Sequence, residues 1–298
     1  VIRGIDWNDA FVDNPRRSQL TYRRKRDDDG FLVPFEVGVR DGSLRLPAGL
    51  VQAQKLALYL RENAIAVSTV DDFDELPTPY RAVAADLYTG ETVVMGTGDV
   101  VTAMQASMSA PGVFAPIERE SRLLVDGGLA MNLPVEAARE TFGKTRIIAV
   151  DVGFPLLPPE QLGSAVSIAD QALSILITRE TQRQREQLDS GDVYIKPELG
   201  LLASTAFDRT LEAIEIGYDT AQSQREALQA LAASPAVCQA RRDTRAARVA
   251  GPPKIPEFVR VETDADVSPR VIETRLGTQP GAPLSIEQLR DDLGRIYG

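Results

Sequence analysis

The residues with the clearest capacity for chemistry are Asp126, Gly127 and Gly128. Asp126 directly follows the apolar segment 122–125, which has the character of a buried strand, and α/β folds place their active groups at the carboxyl ends of strands. The two glycines put no side chains beside the carboxylate and let another backbone come close. A carboxylate placed in this way can serve as a general base. The alternative is an Asx turn that closes the strand, since Asp-Gly is a common turn dipeptide.

Composition narrows the chemistry further, because the 298 residues include no histidine and one cysteine, Cys238. A Ser-His-Asp triad, a Cys-His pair and a His-ligated zinc are therefore excluded within these residues. One cysteine also excludes an intrachain disulfide framework and a multi-thiolate metal site. No dense acidic loop of the EF-hand kind is present, so calcium is not implied. We expect no metal and no cofactor, and a carboxylate, a lysine or an amine as the base of any hydrolysis.

The charge balance argues against a general nucleic-acid binder. The chain has 33 basic and 43 acidic residues, a net charge of −10, whereas phosphate contacts need a basic face. Residues 16–29 form a block of six basic residues followed by three aspartates. This block could touch anionic lipid headgroups, or it could be a solvated loop whose two signs compensate each other.

Local patterns predict the elements that must position Asp126. Residues 79–96 are typical of a β-hairpin with a turn at Thr89-Gly90. Asp99 is a plausible N-cap for a helix from Val100 to about Met108. A helix over 134–142 and an apolar strand over 146–152 follow the strand at 122–125. This strand–helix–strand order predicts an α/β sheet with parallel pairing.

Three further helices are predicted. One begins near Pro47 and reaches about Leu60, with proline in its first turn. Two longer ones cover about 164–189 and 207–233. In the first of these long helices, apolar residues recur at helical spacing, and we interpret that face as buried core and not as a lipid-binding face. Its members are Ala165, Ile168, Ala172, Ile175 and Leu176.

Taken together, several motifs resemble the bacterial patatin-like phospholipase family. The matching segments are 72–77 (DFDELP), 80–91 (YRAVAADLYTGE), 106–116 (ASMSAPGVFAP), 124–129 (LVDGGL), Asn132 and 134–135 (PV). The resemblance covers most of residues 1–233. It implies a three-layer α/β hydrolytic domain that uses a Ser–Asp dyad, with the aspartate of the Asp-Gly-Gly motif, here Asp126, as the base. Gly127 and Gly128 complete that motif.

The chain departs from the family pattern at the nucleophile. The family's serine lies in Gly-x-Ser-x-Gly on a sharp strand-to-helix turn, and neither this pentapeptide nor the oxyanion glycine loop occurs in residues 1–298. In the family both precede the matched region, so we expect the chain to be cut at its start. The amphipathic pattern over 289–298 stops without a following partner, so we expect a cut at its end too. Ser107 and Ser109 are not flanked by glycine and are poor substitutes. As it stands, the chain is expected to be inactive.

The C-terminal part carries a second, shorter resemblance. Residues 234–253 are typical of a linker, with Ser234-Pro235, four arginines and Gly251-Pro252-Pro253. Residues 254–298 resemble the first half of a POTRA domain, an α+β module that precedes outer-membrane barrels, and a strand is expected over 255–262. The segments that carry this resemblance are 255–261, 267–269, 281–284 and 292–298. An unrelated small α+β appendage is the alternative.

Two functional hypotheses follow from the sequence. The first is a fragment of a lipid acyl hydrolase, a phospholipase A or carboxylic ester hydrolase with a lipid or phospholipid substrate. By the same resemblance, its parent chain would continue into an outer-membrane barrel, and the protein would be an outer-membrane or secreted component of the bacterial cell envelope. The second is a catalytically inactive, patatin-derived binding or scaffold protein attached to the same secretion module. An unrelated α/β domain is a third reading.

Overall fold

The computed structural model describes residues 53–200, 209–249, 255–261, 263 and 268–297, together with two short strands near the start. These strands, β1 (Gly38–Arg40) and β2 (Ser43–Arg45), pair antiparallel. Helix α1 (Gln54–Ala64) follows and ends in a 3₁₀ turn at Ile65–Val67. The predicted helix therefore exists with a later start, and both Pro47 and the charge block at 16–29 lie outside the described residues.

A four-stranded antiparallel sheet carries the candidate base. It consists of β3 (Ala82–Asp86), β4 (Thr92–Met95), β5 (Ile117–Arg119) and β6 (Arg122–Asp126), in the order β4-β3-β6-β5. The predicted hairpin is confirmed as the β3–β4 pair, with Gly90 at a positive φ of 75° in its turn. Every residue of β3 is buried, so the sheet has its most protected strand directly beside β6.

Helix α2 (Val100–Met108) packs on this sheet and is confirmed with its predicted cap. Asp99 Oδ1 accepts a hydrogen bond from the backbone N–H of Val101 at 3.3 Å. The other oxygen of Asp99 accepts from Arg61 Nη2 of α1 and from Thr102 Oγ1, both at 2.7 Å. Asp99 thus caps the N-terminus of α2 and links α1 to it. The core between α2 and the sheet is built around Phe73, which is fully buried.

The predicted parallel pairing of the strands at 122–125 and 146–152 is wrong. Helices α3 (Gly128–Met131) and α4 (Val135–Phe142) separate β6 from β7 (Ile148–Val150). Both edges of β6 are already paired, with β3 on one side and β5 on the other, so β7 has no edge of β6 to join. It pairs in parallel with β8 (Val193–Ile195) instead. The fold is mixed α/β, and a three-layer arrangement remains a prediction.

The long helices partly match their predicted ranges. Helix α5 (Ala165–Arg185) begins at a capping box, in which Ser164 and Ser167 exchange hydrogen bonds. The predicted helix over 207–233 is divided at Gln224 into α6 (Thr210–Ser223) and α7 (Arg225–Ala230). Residues 201–208 lie outside the described ranges.

The prediction of a buried face on α5 is wrong. Ala165 and Ala172 are exposed, Ile168 and Leu176 are more than half exposed, and Ile175 is partly buried. The side chains of α5 that are buried, Thr181 and Gln184, lie near its other end and contact α3 and α4 through polar groups. Helical periodicity showed that an apolar face exists, but it carried no information about a neighbour to cover it.

The described residues of the C-terminal part form three helices. They are α8 (Pro235–Val249), α9 (Pro269–Glu273) and α10 (Ile286–Tyr297). Helix α8 occupies most of the segment interpreted as a linker, so the proposed connection is largely helical. The strand expected over 255–262 is absent from the described residues 255–261, where no second strand is available to form a ladder. The domain boundaries themselves remain predictions.

Asp292 ties α10 to the segment that follows α9. Its side chain is 1% exposed and accepts hydrogen bonds from the N–H groups of Gly277 (2.7 Å) and Thr278 (2.8 Å). The hydroxyl of Thr278 and the amide of Gln288 also donate, at 2.7 and 2.8 Å. Burial raises the pKa of Asp292, but these donors outweigh it and lower that pKa to about 2. A buried carboxylate with this many donors is a stabilising anchor.

This anchor should give the C-terminal helices an acid-sensitive stability. The folded pKa of Asp292 lies below the ordinary value of 3.8, so its contribution is present above about pH 4 and is lost as the pH falls toward 2. We expect Asp292→Asn to weaken the helices by roughly 2 kcal/mol and to remove that pH dependence. Hydrogen exchange across residues 268–297 measures both effects. The exposed neighbour Asp291, changed to Asn, is the matched control and should leave exchange unaltered.

Candidate active site

Asp126 is the last residue of β6 and lies opposite Ala84 of β3 in the sheet register. Its backbone N–H donates to the carbonyl of Ser109 at 3.0 Å, and the N–H of Gly127 donates to the carbonyl of Ser107 at 3.4 Å. The chain just past β6 is therefore held by the sheet on one side and by the end of α2 on the other. The predicted position of Asp126 at a strand end is confirmed.

The two carboxylate oxygens of Asp126 have different environments. Oδ1 accepts a hydrogen bond from the N–H of Gly128 at 2.7 Å, which is the Asx-turn geometry that the sequence also allows. Among the described residues, no donor reaches Oδ2. Burial raises the pKa of Asp126, and the bond from Gly128 opposes that rise only in part. The result is a half-buried carboxylate fixed through one oxygen, with the second oxygen available to take a proton.

The backbone of β3 approaches Gly127 so closely that a side chain does not fit there. A Cβ at Gly127 would lie 2.3 Å from the carbonyl oxygen of Val83, well inside van der Waals contact. A Cβ at Gly128 would lie 3.0 Å from Asp126 Oδ1 and 3.1 Å from Asn132 Oδ1. The two glycines thus let β3 and the carboxylate pack closely, as the motif predicts.

A polar contact that the sequence did not predict fixes α3 against α5. The amide of Asn132 donates to the hydroxyl of Thr181 at 3.2 Å, and that hydroxyl donates to the carbonyl of Ile177 at 2.9 Å. Close by, Gln184 is fully buried and accepts from the N–H of Glu136 at 2.9 Å. These bonds secure the turn that follows Asp126 from the side opposite the sheet.

The serines near the site act through their main chain. Ser109 is buried, and its hydroxyl donates to the carbonyl of Gln105 at 2.6 Å, where it ends α2. Its own carbonyl accepts from Asp126, and the carbonyl of Ser107 accepts from Gly127. Both residues therefore help to position the Asp-Gly-Gly segment. None of these contacts activates the hydroxyl of Ser107 or Ser109 as a nucleophile.

A second buried carboxylate, Asp151, follows β7 and was not singled out from the sequence. Its Oδ2 accepts from the hydroxyl of Tyr194 at 2.5 Å and lies 3.5 Å from Lys196 Nζ, while Oδ1 accepts from the N–H of Gly153 at 2.9 Å. Burial raises the pKa of Asp151, but these partners outweigh it and leave that pKa lowered. Burial and the adjacent carboxylate raise the pKa of Tyr194 to about 12.

Asp151 differs from Asp126 because both of its oxygens are engaged. Its partners Tyr194 and Lys196 lie in or just after β8, so the carboxylate ties together the ends of the two parallel strands. A carboxylate with a lowered pKa and no unoccupied oxygen is a poor general base. Of these two strand-end aspartates, Asp126 is the one suited to proton transfer.

The described residues contain neither a cluster of metal ligands nor a membrane-spanning helix. In those ranges, no three His, Cys, Asp or Glu side chains come together in a way that would hold a metal ion. None of the helices described is both long and apolar enough to cross a membrane. The expectation of a reaction without a metal or cofactor remains a prediction from the sequence.

Comparison with known proteins identifies the segment that carries this site. The sequence model of the family "Patatin-like phospholipase" matches residues 5–139, which include β6 and Asp126. An uncharacterised NTE family protein of Mycobacterium tuberculosis is 40% identical over 88 residues, which are 30% of this chain and 23% of that protein. A second NTE family protein of that organism is 39% identical over 95 residues, covering 29% and 16%.

A mammalian protein shows the same likeness over a similar length. The mouse patatin-like phospholipase domain-containing protein 7 is 35% identical over 82 residues, covering 27% of this chain and 6% of that protein. The chain thus spans less than a quarter of the length of each of these relatives. Residues beyond 139 lie outside the family match, and the extension of the patatin-like domain to residue 233 remains a prediction.

Proposed function

We propose that Asp126 is the base of a Ser–Asp dyad, on the support of the match of residues 5–139 to the patatin-like phospholipase model. The reaction would be hydrolysis of a carboxylic ester in a lipid or phospholipid. The observation that carries the proposal is the carboxylate of Asp126, whose Oδ1 is held by Gly128 while Oδ2 has no donor among the described residues. At family level, lipid hydrolysis is the activity to which both the family match and the name of the mouse relative point.

The chemistry follows from the need to activate a hydroxyl. A serine is a poor nucleophile until a neighbouring base takes its proton. In the proposed mechanism, Asp126 Oδ2 accepts that proton as the serine oxygen attacks the ester carbonyl. The proton then passes to the departing alcohol, and a water activated by the same carboxylate releases the fatty acid. The raised pKa of Asp126 brings its basicity closer to what such transfers require.

The serine and the oxyanion donors would come from sequence upstream of Val1, because residues 1–298 contain no Gly-x-Ser-x-Gly. The edge of β7 supports an additional strand. β7 pairs with β8 on one edge and no described strand pairs with the other, while Ile148 and Val150 are half exposed on one face of the pair. Parallel sheets are normally covered on both faces. Each oxyanion N–H donor supplied with that segment would contribute on the order of 3 kcal/mol to the transition state.

The test is to express the protein together with its own upstream coding sequence. We expect fatty-acid release from a phospholipid and from a short-chain ester, with turnover abolished when the serine of Gly-x-Ser-x-Gly is changed to Ala. The chain beginning at Val1 is the matched control and should show no turnover. If the upstream sequence lacks the pentapeptide, or the extended protein binds lipid without hydrolysing it, the binding or scaffold alternative replaces the enzyme.

The location in the cell envelope is a separate proposal that depends on the POTRA-like unit. Its support is the motif set at 254–298 and the helix pair α9–α10 anchored by Asp292. In this proposal the parent chain continues into an outer-membrane barrel. Fractionation of bacterial cells tests it: the full-length protein should sediment with outer membranes. Recovery in the cytosol alone would exclude the proposal without affecting the assignment of Asp126.

A further inference from the structure

Helix α8 carries a face made of arginines. Successive residues of an α-helix are separated by about 100° around its axis, so Arg241, Arg242, Arg245 and Arg248 fall within an arc of about 120°. The opposite side of the helix holds alanines and its one acidic residue, Asp243. The four arginines and one aspartate give this helix a net charge of +3, in a chain whose total is −10.

Three of these arginines have no carboxylate partner among the described residues, unlike Arg61 and Arg183. Arg61 pairs with Asp99 and Arg183 with Glu180, at 2.7 and 2.8 Å. Within the described part of the chain, Arg241, Arg242 and Arg245 form no ion pair and no side-chain hydrogen bond, and all three are exposed. Asp243, whose carboxylate accepts from the amide of Gln239 at 2.9 Å, forms no ion pair with them in the described structure, and its charge is already included in the helix total of +3.

The fourth arginine attaches the helix to the rest of the protein. Arg248 Nη1 donates to the carbonyls of Asp74 and Leu76, at 2.9 and 2.6 Å. These residues precede β3, the strand that lies beside β6 and Asp126. The arginine face is therefore fixed to the same body as the candidate site, and its three remaining guanidinium groups stay open to solvent.

We propose that this face binds the phosphate groups of anionic phospholipids at a membrane surface. A guanidinium group matches a phosphate in charge and in bidentate geometry. A bilayer presents phosphates in a plane, as the helix presents its three open arginines along one side. The preference for a lipid over a nucleic acid rests on the proposed function, since a lipid acyl hydrolase must reach its substrate at such a surface.

Vesicle binding tests this proposal without any need for hydrolysis. The protein is sedimented with vesicles of phosphatidylcholine alone and with vesicles that also contain phosphatidylglycerol. We expect binding to the anionic vesicles only, and weaker binding at higher salt because the attraction is screened beyond about 10 Å at about 0.1 M salt. Changing Arg241, Arg242 and Arg245 together to Gln, which preserves helix propensity, should lower the partition coefficient about 100-fold.

The matched control removes the same charge from scattered exposed positions, with Arg122, Lys144 and Arg225 changed to Gln. This variant should bind within a few-fold of the unchanged protein. Equal binding by both triple variants, or no binding of the unchanged protein to anionic vesicles, would overturn the proposal. Preferential binding of a nucleic acid by the same face would overturn it too. An extended protein that hydrolyses no ester yet binds anionic vesicles through α8 would refute the proposed function alone.

Discussion

Changing Asp126 to Asn in the protein extended upstream of Val1 is expected to lower the turnover rate at least about 10²-fold, since a positioned base is typically worth that much or more. Asparagine can still accept the hydrogen bond from Gly128 through its own Oδ1, so the turn should persist. It cannot take the proton of a serine hydroxyl. The measurement is the rate of fatty-acid release per folded protein, with folding verified by thermal unfolding.

The pH profile supplies a second readout for the same residue. The base acts as a carboxylate, and burial raises the pKa of Asp126 above the ordinary value of 3.8. Activity should therefore fall as the pH is lowered through this raised pKa, at a higher pH than for an ordinary aspartate. Asp151→Asn is the matched control. It should lower stability, since it weakens the contacts at the strand ends, but it should not change the pH at which activity falls. If the Asp126→Asn protein hydrolysed the ester at a rate within a few-fold of the unchanged protein, the assignment of Asp126 as the base would be wrong.

The elements around Asp126 could be predicted because their signals are local. The turn at Thr89-Gly90 and the cap at Asp99 each lie within a few residues of the elements they define. The strand into Asp126 was recognisable for the same reason, as an apolar run that stops at an Asp-Gly dipeptide. Elements with such short-range determinants were found where the sequence placed them.

Strand pairing and helix burial depend on partners far along the chain, and these two features were predicted less well from the sequence. The edge of β6 that a parallel neighbour would have used is already paired with β5. These two strands form a hairpin whose turn is only two residues long. The apolar face of α5 was visible in its spacing, yet Ile168 and Leu176 remain largely exposed. Nothing in helical periodicity specifies which neighbour, or whether any neighbour, covers a face.

The same distinction applies within the site. The Asp-Gly-Gly motif is three consecutive residues and could be recognised at once. The bond from Asn132 to Thr181 joins residues 49 positions apart, and that from Tyr194 to Asp151 joins residues 43 apart. No short-range pattern links such pairs. The sequence shows Asn132 only as one residue of a motif, whereas the structure shows that it holds α3 against α5.

The largest structural effect is expected at Gly127, where replacement by alanine should destabilise the protein by roughly 3 kcal/mol. The new Cβ would lie 2.3 Å from the carbonyl oxygen of Val83, which belongs to a buried strand and cannot rotate away as a side chain could. Either β3 or the Asp126 turn must move, and in both cases Asp126 leaves its position relative to the sheet. We therefore expect the extended protein to lose activity together with stability, as measured by chemical unfolding and ester hydrolysis.

Gly163→Ala is the control that separates this contact from the general effect of replacing a glycine. Gly163 lies in the loop before α5, does not have a positive φ, and has no heavy atom within 4 Å of the position its Cβ would take. That replacement should be neutral or slightly stabilising, because it removes conformational freedom from the unfolded chain alone. Equal unfolding free energies for the two variants would mean that β3 does not approach Gly127 as closely as described. The close packing that aligns Asp126 would then need another explanation.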